Sequence, residues 1–156
     1  MQALQLTKFL PYRLNRISSR LSELGSLIYC DNFNLTVPEW RTLVTVGEFG
    51  QASAKQISQD TAMDKTKVSR AVRSLEQKHW LQRQNDPLDR RIEILTLTSA
   101  GEDVLKNLCP RMLEFETSII AKLSPDDRKA LIKGVEAVER ALDLPSSNLS
   151  ERNDND

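Results

Sequence analysis

The nine residues from Lys65 to Arg73 carry four positive charges and no negative one, and they also carry an apolar stripe. Val68, Val72 and Leu75 recur at spacings of four and three, which places them on one side of a helix. At about 100° per residue, Thr66, Arg70 and Arg73 fall on the opposite side, with Lys67 and Ser69 on its flanks. Such a segment must bury one face in its own domain and leave a basic face in solvent. Asp64 stands where the helix needs an N-cap. Upstream, Ser53-Ala54-Lys55-Gln56 has the form of a capping box and opens a short helix through Ile57, which Thr61-Ala62-Met63-Asp64 then breaks. A short helix, a tight turn and a basic helix make a helix-turn-helix. Its outward face suits the DNA major groove, where arginine and lysine meet guanine edges or phosphates and hydroxyls serve either. The alternative for the helix taken alone is an ordinary solvated charged face.

The segment that follows adds weight to the DNA reading. Leu81-Gln82-Arg83 reads as a strand, and Ile92 to Leu97 alternates partly and is rich in strand formers. Between them, Asn85 to Arg91 is turn-rich and charged. Two short strands with Arg90 and Arg91 at their junction form a hairpin wing, whose arginines suit a narrow minor groove. Asp89 is the residue expected to hold one of those guanidinium groups in place. The plain alternative is a surface ion pair on an ordinary turn.

Outside this block the pattern is helical. Leu10, Leu14, Ile17, Leu21, Leu24 and Ile28 form one narrow stripe, and Pro11 fits the first turn of that helix. The stripe packs either on its own domain or, as its narrow seam favours, on a partner helix. Thr36-Val37-Pro38-Glu39 is a capping box for a helix through Trp40, Leu43, Val44 and Val46 that stops near Gly47 to Gly50. Thr98 and Ser99 open a long helix carrying Val104, Leu108, Met112, Phe115 and Ile119, which Pro110 is expected to interrupt with a kink or a lost hydrogen bond. Ser124-Pro125-Asp126-Asp127 starts a last helix with Leu131, Val135, Val138 and Leu142 on its stripe. The expected organisation is an N-terminal dimerisation helix at 9–30, a winged helix-turn-helix at 36–98, C-terminal dimerisation helices at 99–143 and a disordered tail at 144–156. The fold class is mainly α with a small β-hairpin wing.

Charge distribution agrees with one basic face on a balanced chain. The protein has 22 basic and 22 acidic residues, yet residues 55–93 hold nine basic and six acidic ones while residues 94–156 hold eight and twelve. Cys30 and Cys109 are far apart and form no C-x-x-C pair, so the sequence suggests neither a zinc site nor a disulfide. The single histidine, His79, has no Ser or Cys constellation around it, and there is no Gly-rich phosphate loop. The chain is therefore expected to be no enzyme, with no catalytic residues, no metal and no cofactor. The N-terminus lacks a basic region followed by an apolar one, so a cytoplasmic location without membrane attachment is expected.

Three stretches carry a family resemblance: "LTVPEW" at 35–40, "AKQISQDTAMDKTKVSRAVRSLEQKHWLQR" at 54–83 and "DPLDRRIEILTLTSAGEDVL" at 86–105. They resemble the MarR family, the multiple antibiotic resistance regulators. The family's D-x-R wing signature falls on Asp89 and Arg91, and its LT-x-x-G on Leu97, Thr98 and Gly101. One departure is that His79 and Trp80 stand where the family has a glycine turn between recognition helix and wing.

The resemblance implies a homodimer whose first and last helices interdigitate, binding double-stranded DNA at a palindrome with half-sites roughly 10 bp apart. It implies a transcriptional regulator, expected to be a repressor, with DNA contacts from Lys65, Thr66, Lys67, Ser69, Arg70, Arg73, Arg90 and Arg91 and with Asp89 as wing support. Family members often respond to small aromatic or phenolic anions, for which Tyr12, Arg13, Arg16 and Trp40 are the candidates here. In the plainer reading of these four, Trp40 is core and the arginines are solvated or contact phosphates. Some relatives sense oxidants through a cysteine near the start of the first helix, whereas Cys30 lies at its far end. The competing function is a winged-helix protein-interaction module that no longer binds DNA.

Overall fold

The computed structural model describes residues 4–85 and 92–144 and divides into two compact units, Met1–Met112 and Leu113–Asp156. In the first unit a 3-10 turn, Leu6–Lys8, precedes α1 (Leu10–Phe33), α2 (Val37–Phe49), β1 (Gln51–Ser53), α3 (Ala54–Thr61), α4 (Lys65–Gln77), β2 (Leu81–Asn85) and β3 (Glu93–Leu97). The helix α5 (Ser99–Ile120) begins in this unit, and α6 (Pro125–Ala141) belongs to the second.

Local chemistry sets most of these boundaries. Thr36 and Glu39 form a reciprocal capping box at the start of α2, which ends at Gly50 with φ of 74°. Ser53 accepts from the Gln56 N–H to cap α3, and Asp64 accepts from the Lys67 N–H at 2.8 Å to cap α4. Ser124 caps α6 through the Asp127 N–H, with Pro125 at the first position. The helix α5 continues through Pro110 from Ser99 to Ile120, and the expected lost hydrogen bond stands because proline has no N–H to donate. A proline costs a helix one N–H and a clash with the preceding turn, and more than two turns of regular helix on either side outweigh that local loss.

Among the described residues the sheet has three strands in the order β1-β3-β2, both pairings antiparallel. The hairpin expected from the sequence is the β2–β3 pair, in register from Leu81 opposite Leu97 to Asn85 opposite Glu93. The third strand is an addition: β1 lays Gln51, Ala52 and Ser53 against Thr96, Leu95 and Ile94. Three residues ending in a helix cap show no alternation of their own. Residues 86–91, with Asp89, Arg90 and Arg91, lie outside the described part.

The core of this unit gathers Leu35, Leu43, Val46, Ile57, Val68, Val72, Leu75, Leu81, Leu95 and Leu108, all essentially buried. It joins α2, α3 and α4 to the roots of the sheet. The stripe on α1 divides: Ile28 packs on this core, whereas Leu10, Leu14, Ile17 and Leu21 are exposed. In the second unit, the α6 stripe leaves Leu131 and Val135 exposed.

The turn from α4 into β2 is made without a glycine. Trp80 donates its N–H to the Leu75 carbonyl at 3.0 Å and His79 donates to Glu76 at 2.9 Å, which closes the helix in a Schellman-type cap. The cap requires a left-handed residue, and His79 adopts φ of 59° to supply it. The Thr98 hydroxyl donates to the His79 carbonyl at 2.6 Å and accepts from the Gly101 N–H at 3.1 Å, so the same turn is tied to the start of α5. Gly101 is needed there because a Cβ would run into the Trp80 carbonyl oxygen. A non-glycine residue in the left-handed region costs about 1 kcal/mol, so His79→Gly is expected to stabilise the protein by roughly 0.5–1 kcal/mol. Urea denaturation at neutral pH checks this, and a destabilised variant would mean that the imidazole makes a compensating contact.

Candidate nucleic-acid interface

The basic helix α4 has the two faces that its sequence demands. Val68, Ala71, Val72 and Leu75 are buried, while Lys65, Thr66, Lys67, Ser69, Arg70 and Arg73 are all exposed on one side. Burial of each of the larger apolar side chains contributes about 2 kcal/mol, which presses the helix onto α2 and α3. Between α3 and α4 the backbone turns at Ala62, left-handed with φ of 54°, and Met63 drops into the core. The Ser58 hydroxyl donates to the Met63 carbonyl at 2.6 Å and holds this turn closed. The structure therefore brings the six helix candidates onto one open surface. Of them, Lys67 pairs with Asp64 at 3.2 Å, a loose and solvent-exposed contact.

Two polar devices that sequence reasoning did not find hold α4 in place. The first centres on Glu39, which is only 4% exposed. One oxygen of its carboxylate accepts from the Thr36 N–H and hydroxyl at 2.6 and 2.7 Å, completing the capping box. The other accepts from the Ser74 hydroxyl at 2.5 Å and from Lys78 Nζ at 2.9 Å, both at the far end of α4. Lys78 also donates to the Asn34 carbonyl at 2.7 Å and lies over the Trp80 ring. Burial by itself pushes the Glu39 carboxyl up, but the hydrogen bonds from Ser74, from Thr36 and from Lys78 outweigh it and bring the pKa down to about 2. The capping box was visible in the sequence; its second use, 35 positions away, was not.

The second device is Arg83 on β2. Its guanidinium forks onto Glu76 of α4, Nε to Oε1 and Nη2 to Oε2 at 3.0 Å each, and Nη1 donates to Glu93 of β3 at 2.6 Å. Hydrogen bonding to Glu76, helped by the charges of Glu76 and Glu93, raises the Arg83 pKa further above its already high ordinary value.

The four ligand candidates do not come together. Tyr12, Arg13 and Arg16 lie on α1, with the Arg16 guanidinium 6.0 Å above the Tyr12 ring. Arg13, Arg16 and Arg20, with Ile17 and Leu21, line an open groove of about 420 Å³. Trp40 is elsewhere, half-buried and stacked on Tyr29 with ring centroids 5.5 Å apart. Cys30 is exposed and donates to the Leu35 carbonyl at 3.0 Å, and Cys109 is half-buried, its thiol pushed up by burial. Among the described residues no group of three or more His, Cys, Asp or Glu is arranged to hold a metal ion, and no helix is long and apolar enough to cross a membrane.

Residues 35–92, which span the helix-turn-helix and reach into β3's approach, match the model of the MarR family. The match covers 58 of the chain's 156 residues. The transcriptional regulator YwoH of Bacillus subtilis, of the helix-turn-helix type, is 25% identical over 125 residues, covering 80% of this chain and 90% of its own. Among solved structures, a MarR/EmrR family regulator from Acinetobacter sp. ADP1 superposes with a TM-score of 0.79 at 21% identity, covering 90% of this chain and 99% of that one. BpsR of Bordetella bronchiseptica, whose DNA binding is regulated by 6-hydroxynicotinic acid, superposes with a TM-score of 0.76 at 22% identity, covering 88% and 98%. These two likenesses establish a shared fold.

The Glu39 bridge generates a pH dependence with a definite sign. Its folded pKa lies near 2, below the ordinary 4.5, so the carboxylate contributes stability that is complete above about pH 5 and is lost as pH falls through 4.5 toward 2. The shift corresponds to about 3 kcal/mol. Glu39→Gln is expected to be less stable than wild type by roughly 2–3 kcal/mol at pH 7 and to lose less on acidification. Urea denaturation at pH 7, 4 and 2.5 measures both, and parallel acid losses in the two proteins would contradict the assignment.

Proposed function

We propose that the protein is a repressor that binds a palindromic operator as a homodimer and is released by a small aromatic carboxylate or phenolic ligand. The observation that carries the DNA part is the division of α4 into a fully buried apolar face and an exposed face bearing Lys65, Thr66, Lys67, Ser69, Arg70 and Arg73. An exposed basic face on a helix held rigidly by its other side is what major-groove reading requires. The two hydroxyls among four cations add hydrogen-bonding partners for bases or phosphates. Arg90 and Arg91, with Asp89 as support, are proposed to extend the contact from the wing.

The homodimer rests on the part of the α1 stripe that its own chain leaves bare. Leu10, Leu14, Ile17 and Leu21 are each 40% exposed or more, a seam of one helical face without a partner in its own unit. A second copy of this chain supplies the same seam, and two-fold pairing then presents two α4 helices to a two-fold operator. The effector rests on the arginine-lined groove of α1 and on the regulation of BpsR by an aromatic acid. A guanidinium above a tyrosine ring suits a carboxylate on an aromatic body, so Arg13 and Arg16 with Tyr12 are the proposed contacts. Trp40, stacked on Tyr29, lies outside this cluster. An interaction module without DNA binding is the weaker reading, because the exposed residues from Lys65 to Arg73 include no acid.

Fluorescence anisotropy with a duplex selected from a random pool by the wild-type protein tests this at several salt concentrations. Wild type is expected to bind it far more tightly than a scrambled duplex, with steep weakening as salt rises. Arg70→Ala and Arg91→Ala are each expected to weaken binding about tenfold while leaving the circular dichroism unchanged. Folded variants that bind as tightly as wild type would remove these residues from the interface.

A further inference from the structure

Among the described residues, the wing strands bury few side chains in the domain. Leu81 and Leu95 are buried, but every residue of β2 beyond Leu81 is exposed. Beside this outer part of the hairpin lies a cavity of about 110 Å³, lined by Ser69 and Val72 of α4, by Arg83, Glu93 and Leu95 of the sheet, and by Ala54. Apolar packing therefore does not close the gap between the wing and the recognition helix. The Arg83 guanidinium spans it, forked onto Glu76 of α4 at 3.0 Å twice and bonded to Glu93 of β3 at 2.6 Å. The three elements it joins are the recognition helix and both wing strands. Arg83 lies opposite Leu95, so Glu93 is its diagonal neighbour on the same face of the hairpin. Single exposed ion pairs contribute little to stability, and these side chains are 29% to 52% exposed, so the bridge is poorly suited to holding the fold together. What a planar, two-sided fork does supply is direction.

We propose that Arg83, held between Glu76 and Glu93, is a positioning residue that fixes the wing relative to the recognition helix and thereby sets selectivity among DNA sequences. This rests on the DNA-reading function proposed above. Base contacts from α4 and groove contacts from the β2–β3 connection have to be made at once, so the angle between them decides which duplexes satisfy both. Attraction to phosphate needs no such angle. The bridge accordingly governs the ratio of selected to scrambled binding, and leaves binding to scrambled DNA to net charge.

Removing an acid from a DNA-facing surface gives the test its sign. By electrostatics alone, Glu93→Gln and Glu76→Gln bind every duplex more tightly, because one negative charge facing a polyanion is gone. If the bridge positions the wing, both variants lose affinity for the duplex selected by wild type while holding or gaining affinity for the scrambled one. The expected fall in the selected-to-scrambled ratio is about three- to tenfold. Arg83→Lys keeps the charge but not the fork, and is expected to lose selectivity to a similar degree with an unchanged salt slope. The full-length variants are compared by anisotropy at one salt concentration, with circular dichroism confirming wild-type helix content.

Wild-type ratios in the two glutamine variants, or full selectivity in Arg83→Lys, overturn the positioning role while leaving DNA reading intact. Failure of wild type itself to prefer its selected duplex overturns the DNA-reading function, and the positioning role falls with it. The two glutamine variants carry the test independently of any folding defect in Arg83→Lys.

Discussion

A reading helix has to be fixed by the side that does not read. In α4 that side is Val68, Ala71, Val72 and Leu75, sunk into the same core as Leu43, Val46 and Ile57. Once these residues are buried, helical periodicity leaves no choice about the rest: the lysines and arginines must stand in solvent. Apolar burial is not directional, however, and a helix resting on an apolar bed can still rotate or slide. The polar contacts at its ends limit this. Asp64 caps the start, Glu39 takes Ser74 and Lys78 near the end, and Arg83 ties Glu76 to the sheet.

Glu39 shows why a buried charge is tolerated here. An ionised carboxylate away from water is costly unless its lone pairs are filled, and each of its oxygens has two donors. The same group therefore starts α2 and orients α4, and the two helices cannot shift independently without leaving a charge unpaired. The α4–β2 turn is joined to this arrangement through Lys78, and the turn is tied in turn to α5 by Thr98. The site is thus built as a chain of local constraints running from the cap of one helix to the cap of another.

Most of the winged domain was legible in the sequence because its signals are local. The caps at Thr36, Ser53 and Asp64, the α4 stripe and the alternation in 93–97 each depend on residues within one or two turns of each other. What escaped depends on distant partners. The strand β1 is three residues long and owes its existence to pairing with β3, 43 positions on from Ala52 to Leu95. Glu39 looked like a cap, and nothing near it in sequence announces Ser74. Arg83 is one charge among many until the fold sets it between Glu76 and Glu93. Pro110 was read from its local cost, and α5 nevertheless continues through it from Ser99 to Ile120. Tyr12 and Arg16 lie one turn apart on α1, while Trp40 belongs to the stack with Tyr29.

The central claim is that two copies of α4, presented by a two-fold dimer, read two half-sites. Hydroxyl-radical footprinting of the selected duplex with the full-length protein tests it most directly. Two symmetric patches of protection, with centres roughly 10 bp or one helical turn apart, are the expected result. A single protected patch, or uniform weak protection along the duplex, would contradict the account.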